Sequence, residues 1–340
     1  MLRVIFALAL VSTYVVAANV DVDFASFKTK FSRSYASAKD EEFRKQVFTR
    51  ALGKIAQYNK ELPGNHYAVT QFADWTDAEI RSILLHGAPP NMTASASDVE
   101  MLSTSSPSGL PPVPQEPKMV GALPSFYVSK YVNGVKNQGQ CGSCWSFALC
   151  AVAESIWGRQ QGQTGTNIPS MSPQMAVSCW ARSCNGQNPL ACASWWVGRM
   201  MRELTYYPYT SGSGQVRSCY TVSKGRWVKP GTVRSTTRSW GGITNQIYSK
   251  EAVSIYIIVC QDFMYWKSSS AYKCRCSSNV GAHEMAAVGW GFQGTGASAI
   301  PYVVVKNSWG TSWGVSGYVY LTSGTCNSYS NSYTGIWWQY

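Results

Sequence analysis

A chain of 340 residues, 45% hydrophobic and 14% charged, is too long for one average domain and too apolar to stay disordered. Its net charge of +12 is uneven: residues 122–340 carry 17 Lys or Arg against 5 Asp or Glu, while residues 1–121 carry 12 of each and balance to zero. All 11 cysteines also fall between Cys141 and Cys326, so two pieces of different chemistry are joined.

Residues 1–17 read as a secretory signal. Arg3 supplies the positive start, Val4 to Val11 is an apolar run too short to span a bilayer, and Val15-Val16-Ala17 offers small residues for cleavage. Eleven cysteines behind such a segment imply an oxidising compartment and a disulfide framework, with an odd thiol left over. Residues 21–60 have helical spacing, with Phe24, Phe27 and Phe31 on one stripe and Phe43, Val47, Ala51, Ile55 and Tyr58 on the next. Pro63-Gly64 ends that helix, His66 to Asp74 alternates like a strand, and Thr76 is placed to cap a short helix from Asp77. Residues 87–121 are rich in Pro and Ser and read as an extended, protease-accessible linker. The sequon Asn91-Met92-Thr93 lies within it.

Beyond Leu123 the pattern tightens. Cys144 to Gln161 reads as a long helix with Trp145, Leu149, Val152 and Ile156 on one face. Strands follow at Ser254 to Val259, Met285 to Trp290, Tyr302 to Lys306 and Gly317 to Leu321. Helices first and strands later predict an α+β architecture with two lobes.

The sharpest local feature is Asn137-Gln-Gly-Gln-Cys-Gly-Ser-Cys-Trp145. Cys144 opens the helix, where the dipole and free backbone N–H groups favour the reactive thiolate, while Cys141 sits on the preceding loop. A nucleophile needs a base. The chain has three histidines, and cutting the linker removes His66 and His86 with the front piece, leaving His283 as the candidate. Alone it would be a structural histidine; elimination makes it the base. Asn307, in Lys306-Asn-Ser-Trp-Gly310, is placed to orient the imidazole, with Trp309 shielding that bond. The Gln138 amide and the Cys144 N–H are candidates to hold a developing oxyanion.

These segments together resemble a papain-family, cathepsin L-like cysteine protease precursor over nearly the whole chain. His283 lies 139 residues and Asn307 163 residues after Cys144, the latter suggesting an insertion around Gln293 to Ala299. Arg44, Phe48, Ile55 and Asn59 match the helix motif of the family's inhibitory propeptide, and Ala68, Thr70, Phe72 and Asp74 hold the positions of its strand motif.

The resemblance implies a papain-like fold, with a helical lobe, a β-barrel-like lobe and an N-terminal helical propeptide that blocks the cleft. It implies a division into signal peptide 1–17, propeptide 18–86, activation linker 87–121 and peptidase 122–340. Cys144, His283, Asn307 and Gln138 become catalytic, and Gly186, Gln187 and Trp309 substrate-binding. Gln187 stands where the family has glycine, which reshapes the cleft wall, and the polar stretch Asn327 to Asn331 puts the usual apolar P2 preference in doubt. The implied disulfides are Cys141–Cys184, Cys179–Cys219, and Cys326 with Cys274 or Cys276; Cys150–Cys192 is a further guess.

No occluding insertion with a histidine lies between Cys184 and Cys219, so the expectation is an endopeptidase zymogen. It would work without cofactor or metal, as a monomer, on protein or peptide substrates, with its own propeptide as inhibitor and no nucleic-acid partner or membrane span. The expected location is the secretory pathway, ending in a lysosome-like compartment or outside the cell. Two rivals stand beside it: an inactive homologue used for binding or storage, and a polyanion-binding module suggested by the basic cluster from Lys224 to Arg238.

Overall fold

The computed structural model describes residues 23–85, 123–235, 240–275, 279–323, 325–326 and 336–339. The signal segment, His86, the linker with its sequon at Asn91, Cys276 and the stretch 327–331 lie outside the described residues.

The helical front is two helices, not one: α1 (23–30) and α2 (Ala38–Glu61). The chain turns between them with Ser32 at φ 50°, and the Ser37 hydroxyl accepts from the Asp40 N–H at 3.1 Å to start α2. Phe24, Phe27 and Phe48 pack ring to ring across the two helices, with centroids 4.9–6.2 Å apart. α3 (Asp77–Ser82) opens on a capping box between Thr76 and Glu79. Arg44 of α2 holds α3 through two 2.7 Å bonds to Glu79 and reaches the Asp74 carbonyl at 3.1 Å.

The expected strand at His66 to Asp74 does not form. Its alternation serves a single bridge, Tyr67 to Trp266, and turns follow at residues 71–74. The hydrogen bonds of this segment go to a distant loop: Ala68 N–H donates to the Tyr265 carbonyl at 3.0 Å, and Lys267 N–H to that of His66 at 2.9 Å.

In the remainder, α4 (Cys144–Gln161) is buried along most of its length and packs on both the sheet and α5 (Pro189–Trp196). α6 (Trp240–Lys250) packs on the central strands of that sheet. The strands are β1 (Tyr127–Val128), β2 (Met201–Arg202), β3 (Trp227–Val228), β4 (Thr232–Ser235), β5 (Val253–Val259), β6 (Ala271–Tyr272), β7 (Gly281–Gln293), β8 (Ile300–Lys306), β9 (Tyr318–Thr322) and β10 (Ile336–Gln339). The main sheet runs β4-β10-β5-β7-β8-β9-β6, with β1 also paired to β7 and β2 with β3 apart. Its two end strands, β4 and β6, do not pair with each other. The β-barrel-like lobe is therefore an open, mostly antiparallel sheet among the described residues, not a closed barrel.

β7 is buried from Ala282 to Gly291 and is mostly apolar there because α4 and α6 pack on it. Cys141 is bonded to Cys184, Cys179 to Cys219 and Cys274 to Cys326, with Cα atoms 4.7–5.3 Å apart. Cys260 is also in a disulfide. Cys150 and Cys192 are not bonded to each other; both are free, fully buried thiols that act as small packing groups in the core around α4 and α5.

Candidate active site

Cys144 is the first residue of α4, and the preceding Ser143 gives no side-chain cap, so the helix N-terminus keeps free N–H groups beside the thiol. The loop before it is fixed by the Cys141–Cys184 disulfide and by the Gly142 N–H, which donates to the Cys184 carbonyl at 2.7 Å. Burial pushes the Cys144 thiol up to about 12, opposed by hydrogen bonds from the backbone of Glu284, Trp145 and Cys144 itself. The Glu284 amide follows His283 in β7, so this bond brings the strand carrying the base to the start of α4.

His283 is fully buried, and its Nε2 lies 2.7 Å from Asn307 Oδ1. The same oxygen accepts from the Ser308 backbone N–H at 2.7 Å, which settles the orientation of the amide. Nε2 therefore carries the proton and donates, leaving Nδ1 as the lone-pair atom, and Nδ1 has no partner among the described residues. Trp309 stacks on the ring with centroids 4.4 Å apart and keeps water from the histidine–asparagine bond. Burial lowers His283 to about 4, and the Asn307 bond opposes that shift. Thiol and imidazole are thus both neutral over a wide range around pH 7 in this closed state.

Gln138 Oε1 accepts from the Ser308 hydroxyl at 2.6 Å, which turns its Nε2 toward the cleft. That nitrogen donates to two carbonyls at 2.9 Å, those of Cys141 and Ile83. Tyr209 donates to the Gln138 carbonyl at 2.8 Å and meets the Ser143 hydroxyl at 2.9 Å.

The front piece fills the rest of the cleft. Leu85 exchanges backbone bonds with Ala282, 2.7 Å for its N–H and 3.3 Å for its carbonyl. Two glycines make this approach possible. A Cβ on Gly142 would stand 2.9 Å from the Ser82 carbonyl, and one on Gly281, at φ +151°, would stand 2.9 Å from Leu84 Cβ. Gln71 bonds the Trp309 carbonyl, and Phe72 meets the Trp309 ring edge-on at 5.0 Å.

The structure brings Gln138, Cys144, His283, Asn307 and Trp309 into one buried site. Gly186 borders it, its nitrogen 3.3 Å from where a Cβ on Gly142 would be, and Gln187 is half-buried beyond it in the approach to α5. Sequence reasoning missed Ser308, Tyr209 and Glu284. Only Glu284 left a signal, as the one charge inside the apolar run Ala282 to Trp290.

Residues 126–336 match the family described as papain family cysteine protease, and residues 24–80 match the cathepsin propeptide inhibitor domain. The chain is 30% identical to a Pro-cathepsin H of Medicago truncatula, covering 91% of this chain and 85% of that one. It is 27% identical to a Cathepsin L-like proteinase of Phaedon cochleariae over 96% of both. Among solved structures, digestive procathepsin L 3 of Tenebrio molitor superposes with a TM-score of 0.72 over 94% of this chain and 99% of that chain; at 21% identity it speaks for the fold alone.

Proposed function

The chain belongs to the papain family of cysteine proteases and carries the family's inhibitory propeptide, and we propose that it is an endopeptidase zymogen in which Cys144 is the nucleophile and His283 the acid–base partner. The observation that carries this reading is the Ile83 carbonyl on the Gln138 amide, beside the buried Cys144 thiol. A propeptide carbonyl occupies the donor that a substrate carbonyl would need.

Removal of residues 83–85 admits water and lifts the desolvation that holds both groups neutral, so the proton can pass from Sγ to the His283 Nδ1. The thiolate then attacks the substrate carbonyl carbon, and the oxyanion is held by Gln138 Nε2 and the Cys144 N–H. The imidazolium returns its proton to the leaving amine, and Asn307 keeps the ring in place as it changes charge. Water activated by His283 releases the acyl group and restores the thiol. No step calls on a cofactor.

We divide the chain into propeptide 18–86, activation linker 87–121 and peptidase 122–340, supported by the family matches to residues 24–80 and 126–336. Gly186, Gln187 and Trp309 take the substrate-binding positions. The disulfides support passage through the secretory pathway, with a lysosome-like or extracellular destination, and one chain holds every residue of the site, which fits a monomer. Peptide hydrolysis by the full chain and by linker-cleaved chain, with Cys144→Ser alongside, tests the reading. Activity should appear on cleavage and fall roughly thousand-fold or more in the mutant. A folded, cleaved wild type without activity would overturn it.

A further inference from the structure

The mechanism leaves one ionisable group beside the nucleophile unused. The peptidase part has five acidic residues, Glu154, Glu203, Glu251, Asp262 and Glu284. Four are fully partnered. Glu154 is bonded by Lys136, Glu203 by Arg226, Glu251 by Arg159, and Asp262 by the hydroxyls of Tyr67 and Tyr272. Glu284 differs. Ser254 donates to its Oε1, its Oε2 has no partner among the described residues, and the residue is fully buried. A carboxyl hidden from water with one oxygen unmet is costly, and here no cation offsets it.

Its position says what it faces. Successive residues of β7 point to opposite sides, so Glu284 shares a face with its cross-strand partner Tyr256, away from His283. Burial raises the Cys144 thiol and the Tyr256 hydroxyl, and Glu284, close to both, adds to the shift. Propeptide residues meet the start of the same strand: Leu85 bridges Ala282, two residues before Glu284 and on its face, and Leu84 packs against Gly281. When the propeptide leaves, the strand end next to this acid is uncovered.

We propose that Glu284 is a specificity-determining residue, which in the cleaved enzyme takes the Lys or Arg side chain of a substrate residue seated beside the scissile bond. Arginine suits it best, since a guanidinium offers paired donors to a carboxylate. The bound cation also offsets the negative charge that disfavours the Cys144 thiolate, so the fitting substrate helps to activate the nucleophile it meets. The basic surface of the peptidase part repels a cationic peptide at long range. That repulsion is screened by salt within about 10 Å, whereas the buried contact is screened far less.

The inference rests on the protease reading, and the test separates the two. Full-length chain is cleaved in the linker, and active sites are counted with a thiol-directed epoxide. Matched fluorogenic peptides then carry Leu or Arg at each position flanking the scissile bond in turn. Wild type should prefer Arg at one position by roughly tenfold or more in kcat/KM. Glu284→Gln should lose that preference, read as the ratio of Arg to Leu kcat/KM within each variant. Glu284→Asp, which keeps the charge on a shorter arm, should retain part of it. Wild type that cleaves the Leu peptides with no Arg preference overturns the inference and leaves the protease reading standing, as does a preference that survives in Glu284→Gln. Titratable sites that cleave none of the peptides overturn the protease reading itself.

Discussion

The propeptide meets the peptidase in two regions built from different chemistry. At the anchor, residues 66–72 hold the loop 261–267 and Trp309 mainly through side chains. His66 stacks on Trp266 at 5.3 Å, the Tyr67 hydroxyl donates to Asp262 at 2.8 Å, Thr70 donates to the Met264 carbonyl at 2.8 Å, and Phe72 packs on Trp309. In the cleft, residues 83–85 bury their apolar side chains and make their polar contacts through main chain: the Ile83 carbonyl on Gln138 and the Leu85 amide and carbonyl on Ala282. Side-chain packing recognises one sequence; main-chain bonds accept almost any. The anchor therefore adds side-chain hydrogen bonds and ring contacts to its backbone pairing, while the polar contacts of the cleft keep the undemanding backbone recognition that a protease needs for its substrates.

The largest expected effect comes from the anchor. Phe72 is 2% exposed and its ring touches both Trp75 and Trp309. Phe72→Ala should cost about 3–5 kcal/mol, shared between the fold of the propeptide and its docking. In the uncleaved chain, alkylation of Cys144 at neutral pH should speed up by roughly a hundredfold, since the thiol is reachable only when the propeptide lifts. Tyr67→Phe comes next. It removes one hydroxyl from a buried carboxyl, and alkylation should rise roughly tenfold.

Leu85→Pro strikes the other region. It deletes the N–H that donates to Ala282 and leaves the anchor untouched, for about 1 kcal/mol and a roughly fivefold rise in alkylation. An effect of Leu85→Pro larger than that of Phe72→Ala would reverse the division of labour between the two regions.

The same contrast explains what was legible in the sequence. Cys144 at a helix start, the strands β5, β7, β8 and β9, and the cap at Thr76 follow from local rules, and local rules reach them. His283 follows from a count of histidines. The segment 66–74 misleads because its alternation is real but its partners lie some 200 residues away, at Tyr265 and Met264. The break between α1 and α2 hides in Ser32 and Ser37, which helical spacing alone passes over. The family resemblance suggests pairing Cys150 with Cys192, yet nothing in composition says that two thiols buried in one core stay unbonded. Glu284 is the instructive omission: a charge in an apolar strand is visible at once, but its unmet oxygen appears only when the other four acids are seen with both of theirs bonded.

Each region also hides one carboxyl, and burial raises both. Asp262, at the anchor, accepts from two tyrosine hydroxyls at 2.8 Å, whereas Glu284, in β7, accepts among the described residues from Ser254 alone. Glu284 is pushed up to about 8 from an ordinary 4.5. Between those values the folded chain holds a proton that the unfolded chain has lost, so this stabilisation is present in full below about 4.5 and is lost as pH rises through about 8. His283 acts in the opposite sense. It is lowered to about 4 from 6.5, so the unfolded chain binds the extra proton and stability is lost as pH falls from 6.5 toward 4. Glu284→Gln removes the first dependence and keeps the second. Measured by calorimetry on uncleaved chains carrying Cys144→Ser to prevent self-digestion, the Tm of the glutamine variant minus that of its parent should climb by a few degrees between pH 4.5 and 8 and level off above. A difference that stays flat across that window would mean that the folded chain already satisfies Glu284 as an ion, and the contrast between a satisfied anchor and an unsatisfied cleft would be lost.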